Sequence, residues 1–175
     1  MYTLASQMDN LPIISLQTGE AVAWIREPII AIATLEILAF RCESNNQKHT
    51  QVLMMRDVRQ LAADCIIVDT EDELTDPDDI VRLKSMIKSS YNPLEKMVVS
   101  DTGRKLGSVE DYTVNLETHR VQQLHVRQSL LRSWIGSSLI IDRTQIIEIS
   151  PSRITVRDST VKASMIADPV PEIPS

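Results

Sequence analysis

A mainly β fold, with two tandem small β-barrels joined by an amphipathic helix, is what this sequence predicts. Three observations carry the prediction. First, the chain repeats itself about 85 residues later: Ile13-Ile14-Ser15 through Thr18-Gly19-Glu20 returns as Val98-Val99-Ser100 through Thr102-Gly103-Arg104. Second, within each copy short apolar runs alternate with turn residues, the mark of a small barrel or sandwich. Third, a single helical pattern stands between the copies.

The matched blocks continue along the chain. Val52-Leu53-Met54-Met55-Arg56-Asp57 answers Ser138-Leu139-Ile140-Ile141-Asp142-Arg143, and Cys65-Ile66-Ile67-Val68-Asp69 answers Arg153-Ile154-Thr155-Val156-Arg157. The first unit is expected over residues 10–74, a linker with the helix over 75–94, the second unit over 95–162, and a disordered tail over 163–175. Pro169, Pro171 and Pro174 among small residues mark that tail.

In the second copy Lys105 to Leu116 reads as one long strand. Its apolar positions Leu106, Val109, Val114 and Leu116 change parity partway, which predicts a bulge of the kind that bends a strand around a barrel corner. Glu117-Thr118-His119 is a turn, after which Val121, Leu124 and Val126 resume the apolar pattern. Ala21 to Ile32, a turn near Ala33-Thr34, and Ile37 to Cys42 match them in the first copy.

The helix is predicted over Asp76 to Ser90. Thr75 or Asp76 can cap it, Pro77 suits the first helical position, and Asp78 and Asp79 meet the positive end of the helix dipole. Ile80, Leu83 and Ile87 form its apolar stripe, which is expected to pack on one or both barrels and set their placement.

Composition narrows the function classes. With 43% apolar residues the 175-residue chain can bury a core, and with only 3% aromatics that core must be aliphatic. Scarce rings argue against a stacking platform for single strands of nucleic acid. The net charge of −6 is uneven: residues 1–96 hold nine Lys/Arg against fifteen Asp/Glu, residues 97–162 nine against seven. Neither half is the distinctly basic domain that duplex binding asks for. Met1 to Asn10 has neither a basic region nor an apolar run, and Ala21 to Phe40 is broken by Arg26, Glu27, Pro28 and Glu36. No secretory signal and no membrane insertion are therefore expected. Cys42 and Cys65, each in an apolar run, read as buried thiols of a reducing compartment, and a cytoplasmic location follows.

The segments PIISLQTGEAVAWIREPII and VLMMRDVRQLAADCIIVD, with their counterparts MVVSDTGRKLGSVEDYTVNLETHRVQQLHV and SLIIDRTQIIEISPSRITVRD, resemble the PRC-barrel family over about 145 residues. In that family a Thr-Gly turn leads into a G-x-V-x-D strand, carried here by Gly107-Ser108-Val109-Glu110-Asp111. The first copy has Val22-Ala23-Trp24-Ile25-Arg26 where the glycine is expected. The resemblance implies small barrels that bind other macromolecules. Relatives include the cytoplasmic part of a photosynthetic reaction-centre subunit, a domain of a ribosome-maturation factor, and archaeal cell-division proteins.

No constellation for catalysis, metal or cofactor emerges. His49, His119 and His125 lack partners at zinc-site intervals, and Ser100-Asp101-Thr102-Gly103 reads as a turn rather than a nucleophile elbow. The acidic run from Asp69 to Asp79 lacks the alternating Asx loop that wraps calcium, so it reads as a solvated linker. One segment invites an interaction. Ser129 and Gly136 bracket Leu130, Leu131, Trp134 and Ile135, flanked by Arg127 and Arg132. Four such side chains supply on the order of 6–10 kcal/mol when buried, against about 4–15 kcal/mol that association costs. The patch alone gives a weak contact, with Trp134 as anchor.

The expectation is a non-catalytic adaptor or scaffold that binds a protein partner or itself as a homo-oligomer. The alternative is a ribosome-maturation-like factor in which Arg120, Arg127, Arg132 and Arg143 touch rRNA or a ribosomal protein.

Overall fold

The computed structural model of the chain describes residues 1–44, 50–77, 81–128 and 138–157. Fifteen strands dominate it, so the mainly β expectation holds. In chain order they begin with β1 (Tyr2–Leu4), the short helix α1 (Ala5–Met8), β2 (Pro12–Ser15), β3 (Ala21–Ala31), β4 (Ile37–Glu43) and β5 (Gln51–Met54). Then come β6 (Gln60–Leu61), β7 (Ile66–Val68), β8 (Leu74–Thr75), the helix α2 (Val81–Lys88) and β9 (Ser90–Tyr91). The second half holds β10 (Met97–Ser100), β11 (Lys105–Asn115), β12 (Arg120–Arg127), β13 (Ser138–Asp142), β14 (Ile146–Ile149) and β15 (Arg153–Val156).

These strands form two sheets of the same order. One runs β6-β7-β2-β3-β4-β5-β8 and the other β14-β15-β10-β11-β12-β13. Both contain a parallel pair, β2 with β7 and β10 with β15, where the closing strand returns beside the opening one. The predicted bulges appear in both copies at matching places. The ladder slips between Ile25 and Glu27 as between Val109 and Asp111, and between Ile29 and Ile30 as between Thr113 and Val114. Each slip shifts side-chain parity and bends the long strand around its core. Among the described residues no ladder joins the edge strands, β8 to β6 in the first sheet or β13 to β14 in the second, so neither sheet closes on itself by hydrogen bonding.

Turn conformations repeat as well. Asn10 and Glu95 (φ 62° and 63°), Leu35 and His119 (53° and 55°), and Gly19 and Gly103 (72° and 82°) occupy the left-handed region in pairs. A leucine pays steric strain there. Leu35 is held because its side chain is buried in the core and its carbonyl accepts from the Val121 amide at 2.9 Å.

One continuous apolar cluster runs through both halves, from Ile13, Ile25, Ile37 and Leu53 to Val98, Val109, Leu124 and Ile154. It is aliphatic apart from a few rings, chiefly Phe40 and Tyr112. The halves are also laced together by their leading strands. β1 precedes the first sheet but pairs with β11 of the second, while β9 precedes β10 but pairs with β3 of the first. Thr3 and Tyr91, the central residues of this exchange, are both buried.

The helix differs from the prediction. It spans Val81–Lys88, while Ser90 of the expected Asp76–Ser90 segment lies in β9, paired with Ala31. The Ser89 hydroxyl ends the helix by donating to the carbonyls of Ser85 (2.9 Å) and Met86 (3.2 Å), the first of which also accepts from the Ser89 amide at 3.0 Å. Asp78, Asp79 and Ile80 lie outside the described residues. Met86 and Ile87 pack on Ile29, Ala39 and Val52, all in the first sheet. Cys65 also departs from expectation: it is half-exposed because it sits in the turn before β7, where its carbonyl accepts from the Ala62 amide.

Candidate functional site

The predicted interaction segment leaves and re-enters the fold at one place. β12 ends at Arg127 and β13 begins at Ser138, and these two residues are cross-strand partners. Whatever residues 129–137 do, their two ends are fixed beside each other at the edge of the second sheet. Ser138 is tied further by its hydroxyl, which donates to Glu110 Oε1 at 3.1 Å. Leu130, Leu131, Arg132, Trp134 and Ile135 lie outside the described residues. Of the six candidate positions, Arg127 alone is described, and it is exposed.

Arg127 borders an open groove of about 630 Å³ together with Glu95, Met97, Lys105, Ser108 and Gln128. Gly107 lines it as well. A Cβ there would lie 2.1 Å from the Arg127 carbonyl oxygen, and φ of 153° is a conformation that L side chains rarely adopt. The glycine of the G-x-V-x-D motif is thus what lets β11 approach the end of β12. In the first half the position paired like Gly107 is Ala23, which faces Ile13 as Gly107 faces Val98 and carries a methyl group.

Two apolar side chains near this edge escaped the sequence reading. Ile140 is 46% exposed on β13 and Met97 41% exposed on β10. Leu139-Ile140-Ile141 is apolar throughout, so period-2 patterning could not show which residue faces solvent; the sheet buries Leu139 and Ile141 and turns Ile140 outward.

The other candidates take structural places. Arg120 is engaged with Glu36, its Nη2 2.9 Å from Oε2. Arg143 follows β13 and borders a cleft of about 380 Å³ shared with Leu35 and Ile147. His119 carries a left-handed turn, and His125 Nε2 lies 2.9 Å from the Thr113 hydroxyl. The Ser100 hydroxyl is buried in its turn, 2.7 Å from Thr102 Oγ1, and accepts from the Arg104 amide. Asp69 pairs with Arg59 at 2.6 Å. Among the described residues no three His, Cys, Asp or Glu side chains cluster as metal ligands, and no helix is long and apolar enough to cross a membrane.

Electrostatics agrees with these structural roles. Burial pushes the Cys42 thiol up to about 12, so it is not a nucleophile near neutral pH. The Asp142 carboxyl is held below its ordinary value chiefly by the Thr144 amide, which donates to Oδ1 at 2.9 Å and caps the turn after β13. Burial also raises Tyr112, with the nearby Asp111 and Glu27 charges adding to it.

No family model matches the chain, and no curated protein matches it.

Proposed function

We propose that the protein is a non-catalytic adaptor of the tandem PRC-barrel type, acting in the cytoplasm and binding a protein partner or a second copy of itself. Its contact surface is Leu130, Leu131, Trp134 and Ile135, with Arg127 and Arg132 at the rim. The observation that carries this reading is the pinned pair Arg127 and Ser138, which roots the apolar segment on a sheet edge beside exposed Met97 and Ile140. A fixed root lowers the ordering cost of a loop contact. The duplicated strand order supports the tandem-barrel part, and the two free cysteines suit a reducing compartment.

The test is a Trp134→Asp variant compared with the native chain by light scattering and by affinity capture from the source cell. Normal folding with loss of self-association, or of a partner the native chain retains, supports the assignment. A folded variant that keeps its oligomeric state and every partner overturns it.

A further inference from the structure

A third cavity, of about 260 Å³, opens on the seam between the two halves, and Lys88, Ser90, Tyr91, Asn92, Lys96 and Pro151 are on its wall. Its chemistry is one-sided. The charged groups on the wall are both lysines, in a chain of net charge −6, and among the described residues no carboxylate lines it. Neither lysine has an ion-pair partner among the described residues. Tyr91 is only 5% exposed, yet its hydroxyl makes no hydrogen bond within the described protein. Lys96 Nζ stands 5.8 Å from the centre of the same ring. The Asn92 carbonyl oxygen is occupied by the Leu94 amide at 2.9 Å, which leaves its NH₂ end as a donor.

Two lysines, a tyrosine whose buried hydroxyl has no partner and an asparagine amide therefore border one cavity that, among the described residues, no carboxylate lines. A buried polar group without a partner is rare enough to call for an explanation, and an acceptor oxygen placed in the cavity supplies one. We propose that this cavity binds a compact oxyanion of the phosphate class, either free phosphate or the phosphoryl group of a small metabolite. The volume sits just under the roughly 300–1,000 Å³ of sites for drug-sized ligands, which suits a group of that size. Tyr91 belongs to the exchanged strand on the first sheet, whereas Lys96 leads into β10 and Pro151 lies between β14 and β15. The bound anion touches both halves and stabilises them jointly. This site is independent of the adaptor reading.

The experiment is calorimetric titration and thermal unfolding of the full chain at constant ionic strength, with inorganic phosphate and glycerol 3-phosphate as probes and chloride as control. Expected are saturable binding at one site per chain and a Tm that rises with probe concentration. Tyr91→Phe should leave the unliganded Tm unchanged or raised and weaken binding about tenfold or more; Lys96→Ala should weaken it too. Tighter binding of glycerol 3-phosphate identifies a metabolite as the source, and equal binding identifies the free anion. A response that does not saturate, or an affinity that Tyr91→Phe leaves unchanged, overturns the proposal.

Discussion

Glu36 and Arg120 occupy equivalent positions in the two halves and face each other across the seam: Arg120 Nε and Nη2 reach the same carboxylate oxygen at 3.3 and 2.9 Å. On either side the backbone is reciprocal. The Ile37 amide donates to the His119 carbonyl at 2.8 Å, and the Val121 amide to the Leu35 carbonyl at 2.9 Å. An approximate two-fold axis therefore passes through the ion pair.

Because the axis relates the two positions, exchanging the charges should preserve the contact. Glu36→Ala or Arg120→Ala is expected to cost about 0.2–1 kcal/mol, small because both side chains are partly exposed and screened. Glu36→Arg combined with Arg120→Glu should recover most of what either single reversal loses. Urea denaturation of the four chains checks this; a double variant as weak as the sum of its parts would refute the axial arrangement.

Gly107 and Gly103 predict contrasting outcomes. At Gly107 an added Cβ meets the Arg127 carbonyl, so Gly107→Ala should destabilise by about 1–3 kcal/mol or more through forced backbone movement. At Gly103 nothing lies within 4 Å, so Gly103→Ala should cost only the left-handed conformation, about 1–2 kcal/mol, and leave chemical shifts near β12 unmoved. Shift perturbation confined to β10–β12 in the first variant alone is the signature.

The exchanged strands β1 and β9 should hold the halves together without the chain between them. A protease site placed between Pro77 and Val81 and cut under native conditions is expected to give two fragments that co-elute, separating only in denaturant. Elution as separate fragments in native buffer would contradict the exchange.

Cysteine alkylation should be ordered. Cys42, buried with its thiol raised to about 12, should resist iodoacetamide at pH 8 until the protein unfolds. Cys65 is half-exposed and should react first, though more slowly than a free thiol, because desolvation and the neighbouring Asp64 charge raise it as well. A mass-spectrometric time course reads both sites.

Acid should reveal the Asp142 cap. Its folded carboxyl titrates below its unfolded value, so its contribution is complete above the ordinary carboxylate range, near pH 3.9, and fades as pH falls through the lower folded value. The stability gap between the native chain and Asp142→Ala should accordingly narrow on acidification. A gap that is constant down to pH 2.5 would assign the loss to something other than the charge.

Much of the fold was legible because duplication and bulges leave marks in the order of apolar residues. The parity change at Val109 announced a slip that the ladder shows, and the Thr-Gly pairs announced the matched turns at Gly19 and Gly103. The partnership of β1 was not legible. Three residues, Tyr2-Thr3-Leu4, are too few to carry a period, and their partner Thr113–Asn115 is remote in sequence. Ser90 was absorbed into the helical pattern for the same reason: a strand of two residues, Ser90–Tyr91, cannot outweigh the apolar spacing before it. At the candidate site the sequence marked Arg127 but missed Ile140 and the Tyr91 cavity, since neither solvent-facing orientation nor a missing hydrogen bond is written in residue order.

The exchange of leading strands also governs when this molecule can finish forming. Tyr2–Leu4 is synthesised well before its partner strand β11, and Asp111, which anchors the adjoining helix α1, comes 105 residues after its partner Ser6, whose hydroxyl it accepts at 2.6 Å. A nascent first half therefore emerges with its opening strand unpaired and its own sheet still lacking Tyr91. Completion waits for β9 and β11 to clear the ribosome, which leaves that early strand edge in need of protection in the interval.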